Sequence, residues 1–250
     1  LSTICTAYGN PYNFIPIDES GLIVDELKKS ATDIVHVSPS NHFPTGIVMP
    51  IKRRLELMEW AYESDNRYII EDDYDSEFRY NGKYIAPIYT EDVNNKVIYM
   101  NTFSKTMVPS LRISYMVLPV DILERYKETM SFYSCTVSSF EQYALARFIS
   151  GGYFERHINR IKNYYKKLRV QIINAIRESS IGEISEIVEH HSGTHFLLKV
   201  KTDLSEEEIN EKCLENDLHI LTYADYIKDD TDSDKSMTLV INYAGINPER

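Results

Sequence analysis

Four short apolar segments, each leading into turn-forming or polar residues, constrain the fold of this chain more than any other feature. They are DIVHVS at 33–38, RYII at 67–70, KVIYMN at 96–101 and RISYMVL at 112–118. Short runs with continuous apolar character are typical of strands buried within a sheet. The connections between them are helical or long, so the pattern predicts an α/β sheet with at least partly parallel order.

Helical spacing dominates the segments between and after these strands. One apolar stripe follows the first strand and consists of Ile51, Leu55, Met58 and Tyr62. Residues 121–179 are again helical in pattern, and we expect Gly151-Gly152 to interrupt them. Beyond them, strands are predicted at 186–188, 194–200, 218–221 and 237–242 around a helix that Ser205 caps. This half is expected to form a smaller α+β domain.

Composition narrows the classes of function. The chain has 27 basic and 38 acidic residues, a formal net charge of -11, which argues against a nucleic-acid surface on this segment. Its three cysteines are widely separated and odd in number, so we expect reduced thiols and a cytoplasmic location. No apolar run is long enough to span a bilayer and no signal peptide opens the chain. Because the chain starts at Leu1, we expect a fragment of a longer protein.

Polar residues that suit one particular chemistry gather at the predicted strand ends. They are Asp72, Tyr74, Thr102, Ser104, Lys105 and Arg112. A lysine amine can form an imine with an aldehyde, and hydroxyl and guanidinium groups bind phosphate oxygens. A carboxylate can keep a pyridinium nitrogen protonated, so that the ring acts as an electron sink. Taken singly, a lysine after a strand is more often a solvated loop residue, and an acidic cluster more often a turn or a magnesium ligand.

Longer motifs connect this set to a known family. They are HFPTG at 42–46, YIIEDDYDSEF at 68–78, NTFSKTMVPSLRISYMVLP at 101–119 and GGYFERHINRIKNYYKKLR at 151–169. Together they resemble the aminotransferase-like half of MocR-type transcriptional regulators, which belong to the fold type I aminotransferases and carry a GntR-type winged helix-turn-helix at the N-terminus. The resemblance implies a large, mostly parallel sheet domain that is N-terminally truncated here, and a smaller C-terminal α+β domain. The expected boundaries are 1–130 for the large domain, 131–165 for interdomain helices and 166–250 for the small domain.

The resemblance also implies pyridoxal 5'-phosphate as the cofactor and assigns a role to each polar residue. Lys105 would be the catalytic residue that holds the cofactor as a Schiff base. Asp72 would face the pyridine nitrogen, and Tyr74 the ring oxygen. The phosphate would be bound by Arg112 and by the hydroxyls of Thr102 and Ser104.

Several neighbouring residues are read differently. Asp73 and Asp75 are expected to serve a turn or an ion pair with Arg79. Phe43 stands where ordinary aminotransferases have asparagine, a departure that the regulators share. Gly245 stands where transaminating relatives have the arginine that grips the substrate carboxylate.

The histidines give no metal site. His190 and His191 are adjacent in a strand-like stretch and would face opposite ways, so no metal is predicted. His195 is a weaker candidate for the substrate side of the site. His36 and His42 could approach the ring, although a structural role is favoured for both.

These inferences lead to one leading hypothesis and two alternatives. The leading hypothesis is an effector-sensing domain that binds pyridoxal phosphate and responds to a small molecule, an amino acid or the cofactor itself. It would form a homodimer, reach DNA only through a winged helix-turn-helix outside this chain, and make no contact with membranes. The first alternative is a genuine aminotransferase in which Lys105 moves protons as general acid and base. The second is a sensor of the cofactor alone, which the missing arginine favours.

Overall fold

The chain begins with four short elements that precede the main sheet. The computed structural model describes residues 1–80, 85–189, 192–216, 218–226 and 236–246. Helix α1 (Ser2–Ala7) precedes an antiparallel pair of two-residue strands, β1 (Ile17–Asp18) and β2 (Gly21–Leu22). Helix α2 (Val24–Lys29) follows and buries Val24 and Leu27.

A four-stranded sheet forms the centre of the first half. Its strands are β3 (Ile34–Val37), β4 (Tyr68–Asp72), β5 (Val97–Thr102) and β6 (Ser114–Val117), in that spatial order. Strands β3, β4 and β5 are mutually parallel, and β6 runs antiparallel to β5. Helix α3 (Ile51–Tyr62) connects β3 to β4, and the short α4 (Ile88–Glu91) precedes β5. The α/β class and the partly parallel order predicted from the sequence are confirmed.

The two faces of this sheet differ in burial. The closed face packs against α2 and α3, and its core includes Leu57 and Trp60, both 0% exposed, together with Ile69 and Val97. Burying side chains of this size stabilises the fold by roughly 1.5–3 kcal/mol each. The open face carries the alternate residues of the strands. Its members include Ile34, His36, Ile70, Asp72, Ile98, Met100 and Thr102, which are exposed or half-buried.

Three helices follow the sheet. They are α5 (Val120–Met130), α6 (Ser139–Ser150) and α7 (Tyr153–Glu178). Gly152 lies between α6 and α7 with a φ of 68°, a left-handed conformation that glycine adopts without strain, so the predicted interruption is confirmed. A second interruption at 131–138 was not predicted. There Ser138 caps α6 in a reciprocal pair of hydrogen bonds with Glu141.

A three-stranded antiparallel sheet closes the described chain. Its strands are β7 (Ser185–Val188), β8 (His195–Lys201) and β9 (Ser236–Asn242), with β8 in the middle. Helix α8 (Glu206–Glu215) begins at Ser205, whose hydroxyl accepts a hydrogen bond from Glu208 N as the sequence predicts. This sheet shares a core with α7 that includes Phe78, Leu168, Phe196 and Tyr243.

One predicted strand is wrong. Residues 218–221 contain no strand, and only an isolated bridge joins Thr222 to Leu239 of β9. Two backbone hydrogen bonds of 2.8 Å flank the bridge, from Val240 N to Leu221 O and from Tyr223 N to Thr238 O. The contact with β9 is thus too short to form a ladder, although the apolar residues there resemble a strand.

Candidate functional site

The predicted site residues lie at the edge of the four-stranded sheet where the three parallel strands end. Asp72 is the last residue of β4, and Thr102 is the last residue of β5. Asp72 pairs with Met100 in the register of the two strands, so Asp72 and Thr102 both project from the open face. Ligands of open α/β sheets gather at this carboxyl edge because the connections there diverge and leave a crevice.

Asp72 is accompanied by a histidine from the neighbouring strand. His36 Nε2 lies 3.4 Å from Asp72 Oδ2, and each side chain is 33% exposed. The parallel register pairs His36 with Ile70, which places His36 on the open face beside Asp72. The carboxylate therefore has His36 beside it and remains accessible for a second partner.

The loop after β5 contains hydroxyl groups and a lysine. Thr102 Oγ1 lies 3.1 Å from Ser104 Oγ, and Ser104 N donates to Thr102 Oγ1 at 3.2 Å. Lys105 is half-buried and makes no hydrogen bond or ion pair within the described residues. The amine is therefore not occupied by a side chain or backbone group of the described residues and can react with a ligand.

Arg112 brings a second cation to the same loop. Its backbone has φ 49° and ψ 37°, a left-handed conformation that is strained for a residue with a side chain. Such strain is concentrated at functional sites, where the surrounding structure imposes it. Arg112 is exposed, and within the described ranges it has no acidic partner. Lys105 and Arg112 are therefore both available to an anionic ligand.

Tyr74 is held by the loop that follows β3. Its hydroxyl donates to the backbone oxygen of Asn41 at 3.0 Å and lies 3.3 Å from Asn41 Nδ2. Asn41 Nδ2 also donates to Asp75 Oδ2 at 2.7 Å. Burial raises the pKa of Tyr74 above its usual range, and the Asp75 and Asp72 carboxylates reinforce that effect. Tyr74 consequently remains a protonated hydrogen-bond donor at neutral pH.

The acidic residues around Asp72 are engaged in structural contacts. Asp73 accepts hydrogen bonds of 2.8 Å from Ser76 Oγ and from Tyr99 OH. Residues 74–77 form a turn, as predicted for this cluster. Asp75 is bound by Asn41 instead of by Arg79, which was the other predicted arrangement. Burial raises the pKa of Asp75 to about 8, an effect that the Asn41 hydrogen bond and the Lys105 charge oppose.

His195 and Phe43 form the opposite wall. His195 Nε2 lies 3.0 Å from Pro44 O, and the Phe43 ring meets the His195 ring edge to face at 5.1 Å. Burial lowers the pKa of His195 to about 4, with the charge of Lys105 as a lesser contribution. A neutral His195 therefore donates to the Pro44 carbonyl and holds the PTG turn in place. Lys105 is close enough to influence the titration of both Asp75 and His195.

Sequence reasoning missed two residues. Asn41 is 1% exposed and joins Tyr74 to Asp75, yet nothing in its sequence context distinguishes it from a loop asparagine. His36 was considered only as a possible neighbour of the ring, and the strand register shows its contact with Asp72. Alternation along β3 and β4 places His36 and Asp72 on the same face only when the register between the two strands is known, and a single sequence does not contain that register.

The donor set fits pyridoxal phosphate. Two cations without an ion-pair partner in the described residues suit the phosphate and the aldehyde. A half-exposed carboxylate suits the ring nitrogen, and a buried phenol suits the ring oxygen. Within the described residues, no group of three or more histidine, cysteine or acidic side chains could hold a metal ion. His190 and His191 lie outside the described residues. The three cysteines are unpaired thiols, and no helix in the described part of the chain is long and apolar enough to cross a membrane.

A profile of the family described as aminotransferase class I and II matches residues 4–232. This chain belongs to that family. Pyridoxal phosphate is the cofactor that family and fold indicate. A crystal structure of Pyrococcus horikoshii kynurenine aminotransferase in complex with PMP superposes with a TM-score of 0.79 at 27% identity. The match covers 96% of this chain and 60% of that enzyme.

Curated relatives include transcriptional regulators. The HTH-type transcriptional regulator YdeL of Bacillus subtilis is 41% identical over 206 residues, which are 82% of this chain and 44% of that protein. The probable rhizopine catabolism regulatory protein MocR of Rhizobium meliloti is 32% identical over 193 residues, 77% of this chain and 39% of its own length. The resemblance to MocR-type regulators inferred from the motifs is thus confirmed. The chain spans less than half the length of these regulators.

Proposed function

We propose that this chain is the effector-sensing part of a MocR-type transcriptional regulator and that Lys105 holds pyridoxal phosphate as a Schiff base. The observation that carries the proposal is the half-buried Lys105 amine without a partner in the described residues, at the edge that also holds Asp72 and Tyr74. Relatives that are HTH-type regulators point to sensing as the use of this chemistry.

Each side chain would contribute through a specific atom. The Lys105 amine would supply the nitrogen that bonds to the cofactor aldehyde, with the carbonyl oxygen released as water. Asp72, which lies beside His36, would keep the ring nitrogen protonated. Tyr74 would donate to the ring oxygen. Arg112 would bind the phosphate with its planar guanidinium, and Thr102 and Ser104 would donate to the remaining oxygens.

Sensing requires a ligand that binds two conformations with different affinity. An effector amine that replaces Lys105 on the cofactor would release the lysine side chain and supply such a difference. Gly245 lies in a turn after β9 where an added Cβ would meet no atom within 4 Å, so glycine is not required there by packing. Without an arginine at this position, the usual clamp for an amino-acid carboxylate is missing, which favours a different effector or the cofactor itself as the signal.

The remaining partners follow from the same proposal. DNA would be bound by a winged helix-turn-helix elsewhere in the natural protein, since this acidic segment does not suit phosphate contacts. We also propose a homodimer in the cytoplasm, and the division into large domain, interdomain helices and small domain that the resemblance implies.

The second candidate is an aminotransferase. It is favoured by the structural likeness to kynurenine aminotransferase, which extends over 96% of this chain. The two candidates separate in one assay with pyridoxal phosphate and paired amino and keto acids. A regulator binds the amino compound and shows a spectral change without catalytic release of keto acid, whereas an enzyme turns over.

The Schiff base is tested in the full natural chain with a matched pair of variants. Wild-type protein is mixed with pyridoxal phosphate, reduced with borohydride and weighed by mass spectrometry. Lys105→Ala should abolish the covalent adduct. Lys96→Ala should retain it, because Lys96 lies at the opposite end of β5 and donates to Asp65 O at 2.7 Å. A cofactor still fixed in Lys105→Ala would show that another lysine forms the bond.

A further inference from the structure

Asn41 is the residue through which two distant parts of the chain meet at the candidate site. It is 1% exposed and lies in the loop that connects β3 to α3. Its side-chain nitrogen donates to Asp75 Oδ2 at 2.7 Å and lies 3.3 Å from the Tyr74 hydroxyl. Its side-chain oxygen is buried and has no hydrogen-bond partner among the described residues. Buried polar atoms in native proteins are usually paired, so an unpaired one calls for a functional explanation.

Asn41 uses the Tyr74 hydroxyl in both directions. The hydroxyl donates its single proton to Asn41 O at 3.0 Å and accepts from Asn41 Nδ2 at 3.3 Å. A phenol has only one proton to donate. If Tyr74 donates to a cofactor ring oxygen, the Asn41 carbonyl therefore loses its hydrogen bond. The amide can continue to donate to the phenol oxygen, which makes Tyr74 a stronger donor through hydrogen-bond cooperativity.

The other side of Asn41 is in contact with Gly193, which lies two residues before the start of β8. A Cβ on Gly193 would lie 2.1 Å from Asn41 Nδ2 and 2.8 Å from Asp75 Oδ2. Gly193 is also held rigidly, because its nitrogen donates to Phe78 O at 2.9 Å and its oxygen accepts from Tyr243 OH at 2.7 Å. Phe78 and Tyr243 are both 0% exposed, so Gly193 is held against Asn41 with little free space between them.

We call residues 192–195 the docking segment. They attach the three-stranded sheet to the candidate site at two further points. Ser192 Oγ donates to Ser40 O at 3.2 Å, and His195 contacts Pro44 O at 3.0 Å. Asn41 lies between these two attachment points in sequence. The docking segment therefore lies alongside the loop 40–44 and is bonded to it at both ends.

We propose that Asn41 is a positioning residue that couples the Tyr74 hydroxyl to the docking segment. Occupancy of the cofactor site then alters the position of the three-stranded sheet relative to that site. The coupling rests on the proposed function, because Tyr74 must donate to the ring oxygen. Cofactor binding would redirect the Tyr74 hydroxyl proton away from the backbone carbonyl of Asn41. Asn41, which loses this hydrogen bond, is packed against the docking segment. The same contacts operate in reverse: a shift of the docking segment moves the amide that supports Tyr74.

The test measures the pH at which the visible absorbance band of the pyridoxal phosphate adduct titrates in the full natural chain. A hydrogen bond to the ring oxygen makes that oxygen a weaker acceptor for the Schiff-base proton. Tyr74→Phe should therefore raise the pKa of the Schiff base by about one unit. Asn41→Leu should raise it in the same direction by a smaller amount, and the double variant should equal Tyr74→Phe alone, because Asn41 acts through Tyr74.

A glycine pair supplies an independent test that leaves Asn41 in place. Gly193→Ala introduces the close contact with Asn41 and should shift the same titration by several tenths of a unit. Gly152→Ala is the matched control, because its φ of 68° resembles the 72° of Gly193 but its added Cβ meets nothing within 4 Å. Both variants carry a similar backbone cost, and only Gly193→Ala presses on Asn41 and on Asp75, to which Asn41 is hydrogen-bonded.

The outcomes are distinct. Absence of any band in the wild-type protein overturns both the proposed function and the coupling. A normal band that moves in Tyr74→Phe but not in Asn41→Leu or Gly193→Ala overturns the coupling alone. Loss of thermal stability without a change in the titration shows Asn41 to be purely structural, and again the coupling fails. Parallel shifts in Asn41→Leu and Gly193→Ala, with none in Gly152→Ala, support it.

Discussion

On the closed face of the four-stranded sheet, Val35, Ile69 and Val97 are at most 5% exposed, whereas Ile34 and Met100 on the open face are 54% and 37% exposed. The same difference extends to acidic residues at the end of β4. Glu71, on the closed face, is 0% exposed and accepts hydrogen bonds from Ile88 N and Tyr89 N at 2.8 and 2.9 Å. Asp72, on the open face, contacts His36 and remains one-third exposed.

The difference shows that a single strand can place one carboxylate in the core and the next one at the candidate site. Successive side chains of a strand point to opposite faces, so neighbouring carboxylates enter different environments. The carboxylate on the closed face, Glu71, accepts two backbone hydrogen bonds and is not open to a ligand. The one on the open face remains available to a ligand, which makes Asp72 the acid that suits a pyridinium ring.

The largest effect should come from emptying one position in each face. Ile69→Ala should lower the free energy of unfolding by about 3–4 kcal/mol, because it leaves a cavity in a site with no exposure. Ile34→Ala, on the open face, should cost less than about 0.5 kcal/mol. Urea unfolding of both variants measures the difference. Similar costs would mean that the open face is covered in the natural protein.

A smaller effect should separate the two adjacent aspartates. Asp72→Asn should weaken pyridoxal phosphate binding roughly 10- to 100-fold, the equivalent of one hydrogen bond to a charged group. Asp73→Asn should change the affinity less than about threefold, because Asp73 is occupied by Ser76 and Tyr99. Fluorescence or absorbance titration with the cofactor gives both constants. Equal losses in the two variants would remove the assignment of Asp72 to the ring nitrogen.

The third effect is comparable in size to the second and concerns pH. Burial raises the pKa of Glu71 to about 7, although its two backbone hydrogen bonds oppose the shift. Because the folded pKa exceeds the unfolded value of 4.5, the folded state holds the proton more tightly. Stability should therefore fall as pH rises from about 4.5 to 7. Between pH 5 and pH 7.5, the free energy of unfolding should fall by about 2 kcal/mol less in Glu71→Gln than in the wild-type protein. Parallel pH profiles of the unfolding free energy would contradict this assignment.

Strand and helix positions were largely predictable. The four apolar runs became strands within two residues of their predicted ends. The RISYMVL run starts two residues late, at Ser114, because Arg112 adopts a left-handed turn first. Continuous apolar character and the Ser205 cap are local signals, and local signals survive folding. The strand predicted at 218–221 failed because a strand needs a partner over several residues, and here only Thr222 bridges to β9.

By itself, the sequence determined where the polar residues of the candidate site lie along the chain: the strand ends, the motif around Lys105 and the acidic run 71–75 are each contained in a few consecutive positions. Only the tertiary structure decided which of those acids is accessible and which partners hold Tyr74. Asn41 lies 34 residues from Asp75 in sequence, and Gly193 packs against both from much farther along the chain. Contacts of that kind depend on strand register and on how the two sheets meet, and neither is contained in a local pattern.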